Sequence, residues 1–364
     1  MRQEVGRMIR DGWADARNLL LIRLDNIGDV VLLSAAIRTV RENLPEARLT
    51  LLASPAGSQA APVLPWLDDL MVWRAVWQDV GGRMPFDPGR EMELVDTLRA
   101  RGFDAAIVFT SFSQSPHGAA YACYLAGIPL RLGDSREFGG GLLSTEVRSM
   151  PDGLYQAERS LRLLESVGFQ VRDRRPWIRV PEDAREVAEE LLSTSGVGRG
   201  DPYVVVQPGA SCQARRYPLE RFGAVARLLA RRTGLPVFLV GSAREARELE
   251  DVAAASPGVI SVAGRTRVED LAAVVSRASL AICNDSLTMH LSAALNVPSL
   301  VLFSGTDMES QWRSPYAPTT LLRRETWCSP CYLFECPYRL ECLEFTPEEV
   351  VSAAERMLGT EGVD

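Results

Sequence analysis

The chain has 364 residues, 46% of them hydrophobic and 24% charged, with 40 basic against 47 acidic side chains and a net charge of −7. This length exceeds what one hydrophobic core usually serves, so two domains are expected, and the ordinary soluble composition excludes wholesale disorder. The acidic balance excludes a surface that depends on nonspecific attraction to nucleic acid, and no apolar run is long enough to cross a bilayer.

The N-terminus has no signal-peptide h-region, so the expected location is the cytoplasm. Residues 1–18 set Val5, Met8, Ile9 and Trp13 on one helical face; packing onto the protein is the expected role, with a peripheral foothold on a membrane surface as the alternative. From Asn18 the sequence NLLLIRLDNIGDVVLLSAAIRTVRENLP predicts a buried strand over 19–24, a turn over 25–28 and a helix from Asp29 that Pro45 ends. Gly28 permits close backbone approach beside Asn26, and Asp29 faces the strand ends from the helix N-terminus. As a bland alternative, Asp29 only stabilises the first turn.

Strands are expected over 49–53, 70–73 and 105–109, with a helix over 91–101 and the polar loop TSFSQSPHG opening on the same strand-end side. A helix over 155–167 leads to VRDRRPWIRVPEDA, where Pro176 and Pro181 bracket a predicted short strand and the domain junction falls. Strands over 203–207, 237–240, 259–262, 280–283 and 299–303 then repeat the alternation, and a last helix over 346–358 has Thr346 as its cap and Pro347 at its first position. The expected class is α/β, with two doubly wound Rossmann-like domains and a cleft between them. Their bounds are 1–178 and 179–345, with a C-terminal helix and tail over 346–364.

Three strand-end loops of the second half converge on one candidate ligand site. PGASCQARRYP places Gly209, Arg215 and Arg216 where a diphosphate or ribose is gripped; VGSARE places Glu245 one turn into a helix; NDSLTMH supplies Asp285, Ser286, the amides of Leu287 and Thr288, and His290. The alternatives are surface charges, a helix cap and a packed histidine. Cysteine usage is uneven: Cys328, Cys331, Cys336 and Cys342 fall within fifteen residues as C-x2-C-x4-C-x5-C. That spacing suits a tetrahedral zinc, an iron–sulfur cluster or two disulfides, the last disfavoured in a reducing cytoplasm, and small apolar filling is the bland alternative.

In their order and spacing, LIRLDNIGDVVLLSAAIR, YLAGIPLRLG, QPGASCQARRYP, VGSAREARE, CNDSLTMHLSAALNVPSLVLF and CSPCYLFECPYRLEC resemble glycosyltransferase family 9, the ADP-heptose:lipopolysaccharide heptosyltransferases and their relatives. The resemblance implies a GT-B architecture, with acceptor on the first domain and nucleotide-sugar on the second, and an inverting transfer that needs no metal. It implies Asp29 as the catalytic carboxylate, Asn26 and Gly28 on the acceptor side, and Arg215, Glu245, Asp285 and His290 in the donor site. Two departures stand out: Leu287 and Thr288 occupy the place where many members have Gly and Pro, and Tyr155 that where second-heptose enzymes often have His. The implied partners are ADP-heptose or another nucleotide-sugar and a lipopolysaccharide-core, glycan or glycolipid acceptor.

Two other functions compete. A nucleotide-sugar epimerase or dinucleotide oxidoreductase has a similar fold, but no G-x-G-x-x-G follows a strand and no P-loop occurs. A noncatalytic sugar-nucleotide-binding protein would leave Asp29 as a helix-start residue, and turnover separates it from an enzyme.

Overall fold

Leu19, Leu20, Leu21 and Ile22 are buried, as a strand covered on both faces demands, and form β1 (Asn18–Arg23) in the middle of a parallel sheet. The computed structural model describes residues 9–360 other than 11 and 149. Two units divide the chain, Met1–Trp177 and Ile178–Asp364.

In the first unit β1 is joined by β2 (Arg48–Ala53), β3 (Asp69–Val72), β4 (Ala105–Val108), β5 (Leu130–Asp134) and β6 (Thr145–Val147) in the order β3-β2-β1-β4-β5-β6. The second unit contains β7 (Val204–Gln207), β8 (Val237–Leu239), β9 (Val259–Ser261), β10 (Leu280–Asn284), β11 (Ser299–Leu302) and β12 (Thr319–Leu322), ordered β12-β11-β10-β7-β8-β9. Each sheet reverses its winding once, between β1 and β4 and between β7 and β10. Ligands of such sheets bind at the carboxyl ends of the two strands flanking that reversal. This is the α/β, doubly wound, two-unit organisation expected of a GT-B chain.

Several local expectations are corrected. The helix read as continuous from Asp29 begins at Ile27 and is two pieces, Ile27–Leu32 and Ser34–Asn43, with Leu33 between them. No strand forms between Pro176 and Pro181: Pro176, Ile178 and Val180 are buried in alternation, yet no neighbour supplies a ladder. Pro181 instead serves as N-cap of the helix Glu182–Thr194. On the N-terminal segment, Val5 and Met8 lie outside the described residues, while Trp13 is buried in a turn and Arg10 N donates to Val167 O at 2.9 Å.

The second unit's core packs the helix Leu219–Thr233 and the C-terminal helix Pro347–Leu358 against one face of the sheet. The last helix has a full capping box: Glu349 N donates to Thr346 Oγ1 at 3.2 Å, and Thr346 N to Glu349 Oε2 at 2.8 Å. Phe222 is wholly buried there, edge-on to Tyr217 at 5.1 Å between ring centroids. Phe222→Ala should therefore cost about 3–5 kcal/mol by urea unfolding, the usual range for emptying an aromatic site; a loss below about 1 kcal/mol would mean that the two helices collapse into the space.

Candidate functional site

At the first reversal, β1 ends on Arg23, whose side chain is 2% exposed. A buried guanidinium requires counter-charge, and two carboxylates supply it: Asp25 Oδ2 lies 2.6 Å from Arg23 Nε, and Arg23 Nη2 donates to Asp29 Oδ1 at 2.8 Å. Burial works against the charge on Arg23, but Asp25 and Asp29 more than offset it and its pKa is raised. Arg23 Nη2 also donates to Ser111 Oγ at 2.9 Å, and Gln114 Nε2 donates to Asp25 Oδ1, so the loop after β4 closes the cluster. Asp29 Oδ2 accepts from Asn26 N at 3.2 Å. Asp29 thus does bind the helix start, as the bland alternative holds, while half-buried at the reversal. Asn26 is exposed beside it, and Gly28 is buried in the first turn.

At the second reversal, Asn284 fastens both ends of the loop that follows β7. Its Nδ2 donates to Pro208 O at 2.6 Å and its Oδ1 accepts from Tyr217 N at 3.1 Å. Arg215, carried by that loop, reaches Asp307 Oδ2 at 2.6 Å and Thr306 Oγ1 at 3.2 Å through hydrogen bonds, and Asp285 Oδ2 at 3.6 Å as an ion pair. Burial opposes its charge, but Asp285 and Asp307 outweigh burial and raise its pKa. The Trp312 ring centroid lies 6.0 Å from this guanidinium and 5.9 Å from the His290 ring, which is buried. Arg215 and Asp285 are therefore paired, and His290 neighbours the same Trp312 ring as Arg215.

Arg216 turns away and donates twice to Ala210 O, at 3.0 and 2.8 Å, bracing the loop. Glu245 is not one turn into a helix but the N-cap of Ala246–Ala254, and its Oε2 accepts from Ser242 N at 2.8 Å and Ser242 Oγ at 2.6 Å. Gly209 lies beneath it: a Cβ there would stand 2.3 Å from Glu245 Oε1, so the Glu245 carboxylate would have to shift. Ser286 is the N-cap of Leu287–Leu295, and its Oγ donates to Gln207 Oε1 at 2.8 Å. The same oxygen accepts from Thr288 N at 3.2 Å, so a carboxamide from β7 already sits on the helix start. Leu287 is half-buried and Thr288 buried.

Cys328, Cys331, Cys336 and Cys342 line one cavity of about 20 Å³. Burial raises the Cys342 thiol, and the other three sulfurs are near enough to raise it further. Their loop is hydrogen-bonded to segments at the second reversal: Cys331 N to Gly305 O at 2.9 Å, Tyr332 N to Thr306 O at 2.8 Å, Ala214 N to Phe334 O at 3.0 Å, and Cys336 N to Gln213 Oε1 at 2.9 Å.

Sequence reasoning missed Arg23, Asp25 and Gln114 in the first unit and Gln207, Thr306, Asp307 and Trp312 in the second. A signal existed for most of them. RLD directly precedes NIGD, Gln114 lies in the polar loop already seen to open on the strand ends, and GTD follows the apolar run 299–303 as NDS follows 280–283. Arg215→Ala removes the guanidinium from between two buried acids, so it should destabilise the protein by about 3–5 kcal/mol besides any effect on ligands. Urea unfolding without ligand measures this; stability unchanged within about 0.5 kcal/mol would mean that solvent screens both acids.

Residues 92–340 match the family model described as glycosyltransferase family 9 (heptosyltransferase). Lipopolysaccharide heptosyltransferase 3 of Escherichia coli K12 is 26% identical over 341 residues, 91% of this chain and 95% of that protein. Among solved structures, the glycosyl transferase family 9 protein of Veillonella parvula DSM 2008 superposes with a TM-score of 0.75 at 21% identity, covering 94% of this chain and 97% of the other. The E. coli ADP-heptose lps heptosyltransferase II gives a TM-score of 0.71 at 21% identity, covering 94% and 99%. With strand-end sites at both reversals and a family match over most of its length, the chain belongs to glycosyltransferase family 9 and is a glycosyltransferase.

Proposed function

We propose that this enzyme transfers a heptose, or a closely related sugar, from an ADP-sugar to a lipopolysaccharide-core or other glycan acceptor, with inversion at the anomeric carbon. The observation that carries the reading is Asp29, a half-buried carboxylate held by Arg23 and Asn26 N at the strand-end reversal of the first unit. Its acceptor oxygens are oriented, and general-base catalysis needs little more than that geometry. Asp29 takes the proton of the acceptor hydroxyl as its oxygen bonds to the anomeric carbon. The bond to the nucleoside diphosphate breaks on the opposite face and its electron pair leaves on the phosphate oxygen. Arg215 and the amide of Thr288 receive that charge, the diphosphate taking the place that Gln207 Oε1 holds. Glu245 and Arg216 shape the loop walls, and His290 supports Arg215 through Trp312.

An ADP-sugar is supported by the family match and by likeness to the E. coli ADP-heptose enzyme. No helix among the described residues is long and apolar enough to cross a membrane, and a cytoplasmic enzyme with a peripheral membrane contact remains part of this proposal. In a thermal-shift screen, ADP-heptose should stabilise the protein, by about 2.7 kcal/mol at a hundred times its Kd, ahead of UDP- and GDP-sugars. Asp29→Asn should lower transfer by roughly 100-fold or more with donor binding retained. Near-normal turnover in that variant would remove Asp29 as the base.

The chemistry needs no metal in this reading, and the four-cysteine loop takes no part in it. Its donor set suits a structural zinc, although no group of three or more His, Cys, Asp or Glu among the described residues is arranged to hold a metal ion. We propose zinc there as a brace for the segment leading to the last helix. Elemental analysis of protein purified anaerobically should find zinc bound to the chain, and four freely titrating thiols without metal would overturn the assignment.

A further inference from the structure

Asp25 is not used by the transfer just described. Its side chain is 7% exposed, and it stands two residues after Arg23 and four before Asp29. One guanidinium therefore lies between two carboxylates of similar burial, Asp25 at 7% and Asp29 at 12% side-chain exposure. A second buried carboxylate is a poor device for stability alone, because taking an ion out of water costs more than a single shared partner returns. Among the described residues, the groups that act on Asp25 are Arg23 from β1, Asp29 from the following helix, and Gln114 from the loop after β4. From the end of β2, Ser54 Oγ donates to the Asp25 carbonyl at 2.6 Å. Arg159, paired with Asp134, feels the charge of Arg23.

We propose that Asp25 is a positioning residue for transfer: when ionised it shares Arg23 with Asp29, so that Arg23 orients Asp29 without taking up its negative charge. When Asp25 carries a proton, the guanidinium charge falls on Asp29 alone and withholds the electron pair that must accept the hydroxyl proton. The ordinary pH of the change follows from the surroundings. Burial, the largest influence, pushes Asp25 up to about 6, with Asp29 adding to the rise and Arg23 and Gln114 opposing it. The switch thus closes on the acid side of neutrality. This inference rests on Asp29 being the base.

The test is a pH–rate profile from pH 5 to 8 with ADP-heptose and a truncated lipopolysaccharide acceptor, for the wild type, Asp25→Asn and Asp29→Asn. Wild-type kcat should climb through about pH 6. Asp25→Asn should lack that step, turning over at every pH near the wild-type acid-side rate, about tenfold below its plateau, with KM for the donor unchanged. A second readout does not need turnover. The folded-state pKa of Asp25 lies above its ordinary value, so the cost of ionising it in the folded protein is absent at low pH and complete above about 6. The urea stability of Asp25→Asn relative to wild type should accordingly rise from pH 5 to pH 8. An Asp25→Asn profile that keeps its step and plateau, beside an inactive Asp29→Asn, overturns the proposal alone. An active Asp29→Asn overturns the base assignment and this proposal with it.

Discussion

A guanidinium gripped by two carboxylates occurs at both winding reversals: Arg23 between Asp25 and Asp29, and Arg215 between Asp285 and Asp307. The constraint behind both is the cost of placing charge where two parallel strands separate and the backbone turns away from them. Neither arginine is tolerable there without acids, and the acids would repel each other without the arginine. Each site is consequently a charge-balanced unit in which no member has an independent role. Asp285 illustrates the point: its ion pair is to Arg215, which Asp307 holds as well.

This interlocking limits what a linear sequence reveals. The alternation of strand and helix, the strand-end positions of Asp29, Arg215 and Asp285, and the capped final helix were legible because each depends on local periodicity or capping chemistry. The edge strands β3 and β9 were legible too, but β6 and β12 were not, nor was the inner strand β5, whose run Leu130–Asp134 is broken by Arg131 and Gly133. β6 has three half-buried residues and β12 begins in the polar pair Thr319–Thr320, so neither presents the apolar run by which central strands announce themselves. The proline pair at 176 and 181 misled for another reason: period-two burial was really there, but a strand needs a hydrogen-bonded neighbour, which no local pattern specifies.

Within the sites, the residues that were overlooked are those whose meaning is a partner far along the chain. Gln207 is an unremarked strand end until its carboxamide is found on the helix beginning after Ser286. Asp307 follows a glycine and a threonine in an ordinary turn until Arg215, 92 residues earlier, reaches it. Glu245 was placed by motif one turn into a helix, but it caps that helix and its side chain closes on Ser242.

The cysteine loop has a consequence for the order in which this protein is made. Gly305, Thr306, Gln213 and Ala214 all depend for hydrogen bonds on residues 331–336, and the carbonyl of Phe345 accepts from Tyr217 Oη at 2.8 Å and from Arg221 at 3.2 Å. A ribosome delivers the chain from the amino end and hides its most recent residues in the exit tunnel. The first unit can therefore complete its charged cluster during translation, whereas the segments around Arg215 wait for residues 331–345 before they are fastened. A nascent chain stalled before residue 331 would carry a finished first reversal and an unfastened second one.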